Sequence, residues 1–95
     1  MVFTKDQCIK INYPLNYTEE QVRDLINELG KLNFNDFKEI QLETINIAIT
    51  LLIYLRDILI KYNHLTLFIT PEVKLLMDNI KDNILNESRV KVINE

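Results

Sequence analysis

Glycine is nearly missing from this chain. Gly30 is the only one in 95 residues, and prolines number two. A loop that cradles phosphate needs several glycines, so that bare backbone can approach the anion. One isolated glycine excludes it. Cys8 is the only cysteine, which rules out an internal disulfide and leaves no thiolate set for a metal. His64 is the only histidine, and it follows Asn63 in a turn-forming pair. A block of positive charge is missing too. Eleven Lys and Arg are spread singly among 14 Asp and Glu, for a net charge of −3. Nucleic-acid binding draws on concentrated positive charge to displace counterions, so this balance argues against it. The longest uncharged run, Thr44 to Leu55, falls short of the roughly 20 apolar residues that a membrane span needs. The chain opens Met-Val-Phe-Thr-Lys-Asp, without an apolar signal segment, and a cytoplasmic location is expected.

What is present is ordinary globular material: 47% hydrophobic and 26% charged residues. The length fits one domain over residues 1–95. Its organising stretch runs from Ile45 to Tyr62. Apolar side chains there point in nearly every direction, which predicts a helix buried on more than one side.

The flanking segments alternate between two periods. Gln7 to Asn12 reads as a strand, with Ile9 and Ile11 on one face, ended by Tyr13-Pro14. Thr18 and Gln21 form a capping box that opens a helix, and Val22, Leu25, Ile26 and Leu29 make its apolar face. Gly30 stands where a left-handed C-terminal cap is wanted. Phe34 and Phe37 lie in the following connection and are expected to plug the core. Lys38 to Glu43 alternates as a second strand, with Ile40 and Leu42 inward. Its polar face implies a sheet bare on one side or an edge position. The boundary after it is ambiguous. Ile45, Ile47 and Ile49 also alternate, which fits a strand running on to Thr50. The phase slip at Thr44-Ile45 favours a strand ending near Thr44 and a helix from Asn46 to Tyr62. Leu65 to Ile69 is a near-continuous apolar run, the mark of a central parallel strand. Thr70-Pro71-Glu72 opens a third helix with Val73, Leu76, Met77, Ile80 and Ile84 inward. Ser88 to Asn94 supplies a last strand through Val90 and Val92. The order β-α-β-α-β-α-β predicts an α/β fold: a four-stranded, largely parallel sheet with three helices. Leu25, Ile49, Leu52, Ile53, Leu67, Ile69 and Leu76 are the expected core.

Chemistry is sparse. His64 reads as a solvated turn residue. Cys8, next to a strand, reads as a buried small hydrophobe rather than a nucleophile. Glu39 and Glu43 share a strand face with Gln41 between them, the pattern of a solvated face more than of an acid–base pair. Tyr54 and Tyr62 lie eight apart on the central helix and are expected to pack. No catalytic, cofactor-binding or metal-binding residue is assigned, and no enzyme activity is expected.

Three stretches resemble the STAS domain, the fold of bacterial anti-sigma factor antagonists and of sulfate-transporter cytoplasmic tails. Cys8-Ile9-Lys10-Ile11-Asn12-Tyr13-Pro14-Leu15-Asn16 looks like that family's first strand and its "G-x-L-D" turn. Thr18-Glu19-Glu20-Gln21 follows as the helix start. Ile69-Thr70-Pro71-Glu72-Val73-Lys74-Leu75-Leu76 is similar to the family's "S-P-x-V-x-x-L" segment. The likeness spans Cys8 to about Leu85. The family's regulatory Asp-Ser-Ser-Gly turn is missing. Thr44-Ile45-Asn46-Ile47-Ala48 occupies its place, where only Thr44 or Thr50 stands in for the phosphorylated serine. The resemblance implies a non-enzymatic regulatory module without the phosphorylation switch. It would dock another protein, or a second copy of itself, through Thr44, Ile45, Asn46 and Ile47. An alternative resemblance covers Lys38 to Ile58, which aligns with the strand-loop-helix of Alba-type nucleic-acid-binding proteins, Ala48-Ile49-Thr50 standing for "A-I-S". Where those proteins carry basic residues in the loop, this chain has Ile45, Asn46 and Ile47.

Overall fold

The computed structural model describes residues 2–12, 15–79 and 88–93. Five strands form one mixed sheet in the order β1-β2-β3-β4-β5. They are β1 (Val2–Lys5), β2 (Cys8–Ile11), β3 (Glu39–Leu42), β4 (Thr66–Ile69) and β5 (Val90–Val92). Three helices connect them: α1 (Glu19–Gly30), α2 (Ile49–Lys61) and α3 (Pro71–Asp78). The α/β class is as expected, but the sheet has five strands rather than four.

The added strand is β1, which pairs antiparallel with β2, Phe3 opposite Lys10 and Lys5 opposite Cys8. Asp6 and Gln7 make the turn between them, and Asp6 takes φ = 56°. Asp tolerates this left-handed conformation better than most residues, so the hairpin needs no glycine. From β2 to β5 every pairing is parallel.

The inner strands show which face the helices cover. Ile9 and Ile11, Ile40 and Leu42, and Leu67 and Ile69 are buried, while the residues between them are half-buried. One face of the sheet therefore carries the core and the other carries Lys10, Gln41 and Phe68 in register. The polar face of β3 has its explanation here: β3 is an inner strand of a sheet bare on one side.

That layering corrects the expectation for α2. It is buried on one side, through Leu51, Leu52, Leu55, Ile58 and Leu59. Ile49 and Ile53, expected in the core, are exposed, as is Leu76 on α3. With the sheet below and, among the described residues, no element above, a helix as apolar as α2 leaves part of its surface in solvent. Leu25, Leu52, Leu67 and Ile69 are buried as expected. Helix α2 also begins at Ile49 rather than Asn46, and residues 45–48 are neither helix nor strand.

The ends of the helices are fixed by named contacts. Thr18 N–H donates to Gln21 Oε1 at 2.8 Å, and Gln21 N–H donates to Thr18 Oγ1 at 3.2 Å, the reciprocal box expected for α1. Its other end differs. Gly30 is the last helical residue, and Lys31 closes the helix in right-handed geometry, φ −85°, ψ −10°. A Cβ on Gly30 would meet only the Tyr54 hydroxyl, at 3.9 Å, an ordinary contact. The C-terminus of α2 is met by the residue before β5: Arg89 Nη1 donates to Leu59 O at 2.9 Å and to Tyr62 O at 3.3 Å. A cation there offsets the negative end of the helix dipole.

Phe34 is buried and Phe37 packs against the core, as the connection predicts. Tyr54 and Tyr62 also pack there, and burial, then Tyr62, raises the Tyr54 phenol pKa. His64 is exposed in its turn, with Nε2 3.0 Å from Phe34 O and its ring edge-on to Tyr62. Tyr13-Pro14 and the inward positions Ile80 and Ile84 lie outside the described residues.

Candidate functional site

The four residues that the STAS resemblance implies for docking, Thr44 to Ile47, lie between β3 and α2. Thr44 is only 4% exposed. Its hydroxyl accepts from Asn46 N–H at 3.3 Å, and its carbonyl accepts from Thr70 Oγ1 at 2.9 Å. The Thr70 hydroxyl in turn caps α3, accepting from Val73 N–H at 3.3 Å. One hydroxyl thus ties the start of α3 to the loop before α2. Asn46 Oδ1 accepts from Ile47 N–H at 2.9 Å and tightens the bend.

These bonds sort the four residues. Thr44 and Ile47 face inward, Ile47 being 5% exposed. Ile45 and Asn46 face outward, Ile45 being 50% exposed. The segment therefore does not present two isoleucines together; it presents one. Of the two threonines that the STAS resemblance would set in place of a phosphorylated serine, Thr44 is buried and Thr50 is exposed.

Beside this segment, α1 and α2 leave a groove of about 450 Å³. Tyr17, Val22, Ala48 and Ile49 make its apolar lining, and Glu19 and Arg23 stand with them as charged residues. No signal in the sequence pointed to it, because it forms only where the starts of two helices meet. Ala48 precedes α2 without a side-chain cap, and its carbonyl accepts from Leu52 N–H at 3.0 Å.

The uncovered sheet face carries a different set. Lys10 and Glu43 approach to 3.9 Å, both partly exposed, a contact worth little in solvent. Glu43 is therefore paired with a cation rather than with Glu39. Cys8 is half-buried on this face, not buried as expected. Burial raises its thiol pKa first and the Glu39 carboxylate second, with Lys10 opposing. A raised pKa leaves less thiolate, the reactive species, at any given pH. Alkylation of the folded chain at mildly alkaline pH should accordingly run slower than that of a free cysteine, and urea should erase the difference. Equal rates before and after unfolding would show that burial and Glu39 do not act on this thiol.

Among the described residues, no group of three or more His, Cys, Asp and Glu stands close enough to hold a metal ion, and no helix is long and apolar enough to cross a membrane. Comparison with known proteins finds no matching family model, curated sequence or solved structure.

Proposed function

We propose that this chain is a non-enzymatic regulatory module of the STAS-like kind, lacking the phosphorylation switch, that acts by docking an apolar segment of another protein. The observation that carries the reading is the half-exposed Ile45, which follows the Thr44 carbonyl held by Thr70 and lies three residues before Ala48 of the α1–α2 groove. An apolar side chain held out into solvent is what a partner's side chain would cover. The docking surface is thereby narrowed to Ile45, Asn46 and the groove.

The test compares the wild-type chain with Ile45→Asp in co-purification from the native host. Ile45 is exposed, so the variant should melt within a few degrees of wild type. Loss of a captured partner with the fold intact supports the surface. Equal capture by both chains moves the surface elsewhere, and no partner for either chain sinks the binding-module reading.

The Alba-like alternative makes an opposite prediction. The loop between β3 and α2 contains no Lys or Arg, and the chain is acidic. No retardation of duplex DNA or RNA should occur at physiological salt. A salt-dependent gel shift at modest protein concentration would reverse the choice.

A further inference from the structure

The outer surface of α2 is unexplained by the groove. Ile49, Ile53 and Ile60 are 63%, 53% and 47% exposed. At 3.6 residues per turn they fall within a stripe about 40° wide, on the side away from Leu55. Arg56 lies about 40° to one side of the stripe's midline and Asp57 about 60° to the other. The stripe is thus apolar along its middle, positive on one border and negative on the other.

We infer that this stripe is the seam of a homodimer in which two α2 helices run parallel about a twofold axis. An isologous contact must be complementary to itself. In parallel pairing the opposite borders of two helices face each other, so Arg56 of each copy meets Asp57 of the other, on both sides of the seam. The isoleucines then stack on their own counterparts. Antiparallel pairing brings like borders together, Arg56 towards Arg56 and Asp57 towards Asp57, and is disfavoured. Within one chain Arg56 Nη1 is 3.6 Å from Asp57 Oδ1, in a pair whose side chains are 38% and 65% exposed. An ion pair this exposed contributes little to the stability of one chain. Among the described residues no element covers the outer side of α2, and the exposure of its three isoleucines leaves the stripe open to a second copy. The seam is short, so the association is weak and depends on concentration.

This goes beyond the docking of a different protein and stands without it, although Ile49 belongs to both surfaces. The experiment uses the purified chain alone, in sedimentation over a concentration series. Arg56→Asp and Asp57→Arg should each weaken self-association by about tenfold or more, because each sets like charges across both borders. An equimolar mixture of these two variants should associate again, one supplying two anions and the other two cations. Ile53→Cys should form a symmetric disulfide under mild oxidation. Ile53→Glu serves as the second disrupting variant, and melting curves of every variant establish that the fold is intact. A wild-type chain that stays monomeric at the highest concentration overturns the inference. So does unchanged association in both charge variants, or a mixture that fails to recover it.

Discussion

Leu52→Ala should lower the melting temperature by on the order of 10–30 °C, while Ile53→Ala, one residue further on, should barely move it. Both residues sit near the start of α2 and both are large and aliphatic. Leu52 is 2% exposed and belongs to the core cluster under the helix layer. Truncating it removes buried methyl groups and leaves a cavity that the sheet beneath cannot fill, at about 2–5 kcal/mol. A small domain has only about 5–15 kcal/mol of stability, and each kcal/mol shifts the melting temperature of a domain this size by roughly 4–8 °C. Ile53 points the other way, into solvent, where truncation usually stays within about 0.5 kcal/mol. Thermal melting by circular dichroism reads both. If Ile53→Ala proves as damaging as Leu52→Ala, α2 is rotated about its axis, or its outer face is covered in solution by a second copy. Repeating the melt at low protein concentration tells those two results apart.

The contrast between those residues also shows where sequence reading stops. Helix α1 was legible because its polar residues mark its solvent face: Val22, Leu25 and Leu29 are buried, and Thr18 with Gln21 announces the start. Strand β3 was legible for the same reason, since its half-buried Glu39 and Gln41 declare the uncovered side of the sheet. Helix α2 gives no such mark. Its first seven residues, Ile49 to Leu55, carry no charge, so nothing local states which side meets the sheet. The answer comes from the number of layers, which no single segment encodes. Strand β1 was missed because only Val2 and Phe3 in it are apolar, and because Asp6 makes its turn without the glycine that usually signals a hairpin.

The candidate site was half legible for a related reason. Residues 44–47 belong to no helix or strand, so no period assigns a face to them. The sequence placed Thr44 and Ile45 after the second strand, but it put Asn46 and Ile47 in the start of a helix that begins only at Ile49. It did not reveal that Thr70, 26 residues away, would hold the carbonyl of Thr44. That bond belongs to the tertiary structure. It is what separates the inward Thr44 and Ile47 from the outward Ile45 and Asn46.

That separation makes the second large prediction. Ile47→Asp should abolish folding at neutral pH, while Ile45→Asp should leave it intact. Ile47 lies in the core cluster, 5% exposed, with no cation among the residues that form that cluster. An ionised carboxylate there loses its hydration without gaining a partner, at several kcal/mol, which is comparable with the whole stability of a small domain. Burial disfavours the charged form, so in the folded chain the introduced carboxyl would titrate above its unfolded value near 3.9. The sign of the pH dependence follows. Below the unfolded pKa both states carry a neutral carboxyl and the charge penalty is absent. As pH rises, the unfolded state ionises first and pulls the equilibrium towards itself. Ile47→Asp should therefore recover helical signal on acidification towards about pH 4, where a neutral but still unpartnered carboxyl leaves a smaller defect. The wild-type chain and Ile45→Asp should show no such recovery. Circular dichroism across this pH range decides it. A folded Ile47→Asp at neutral pH would put Ile47 on the surface beside Ile45 and restore the two-isoleucine docking patch.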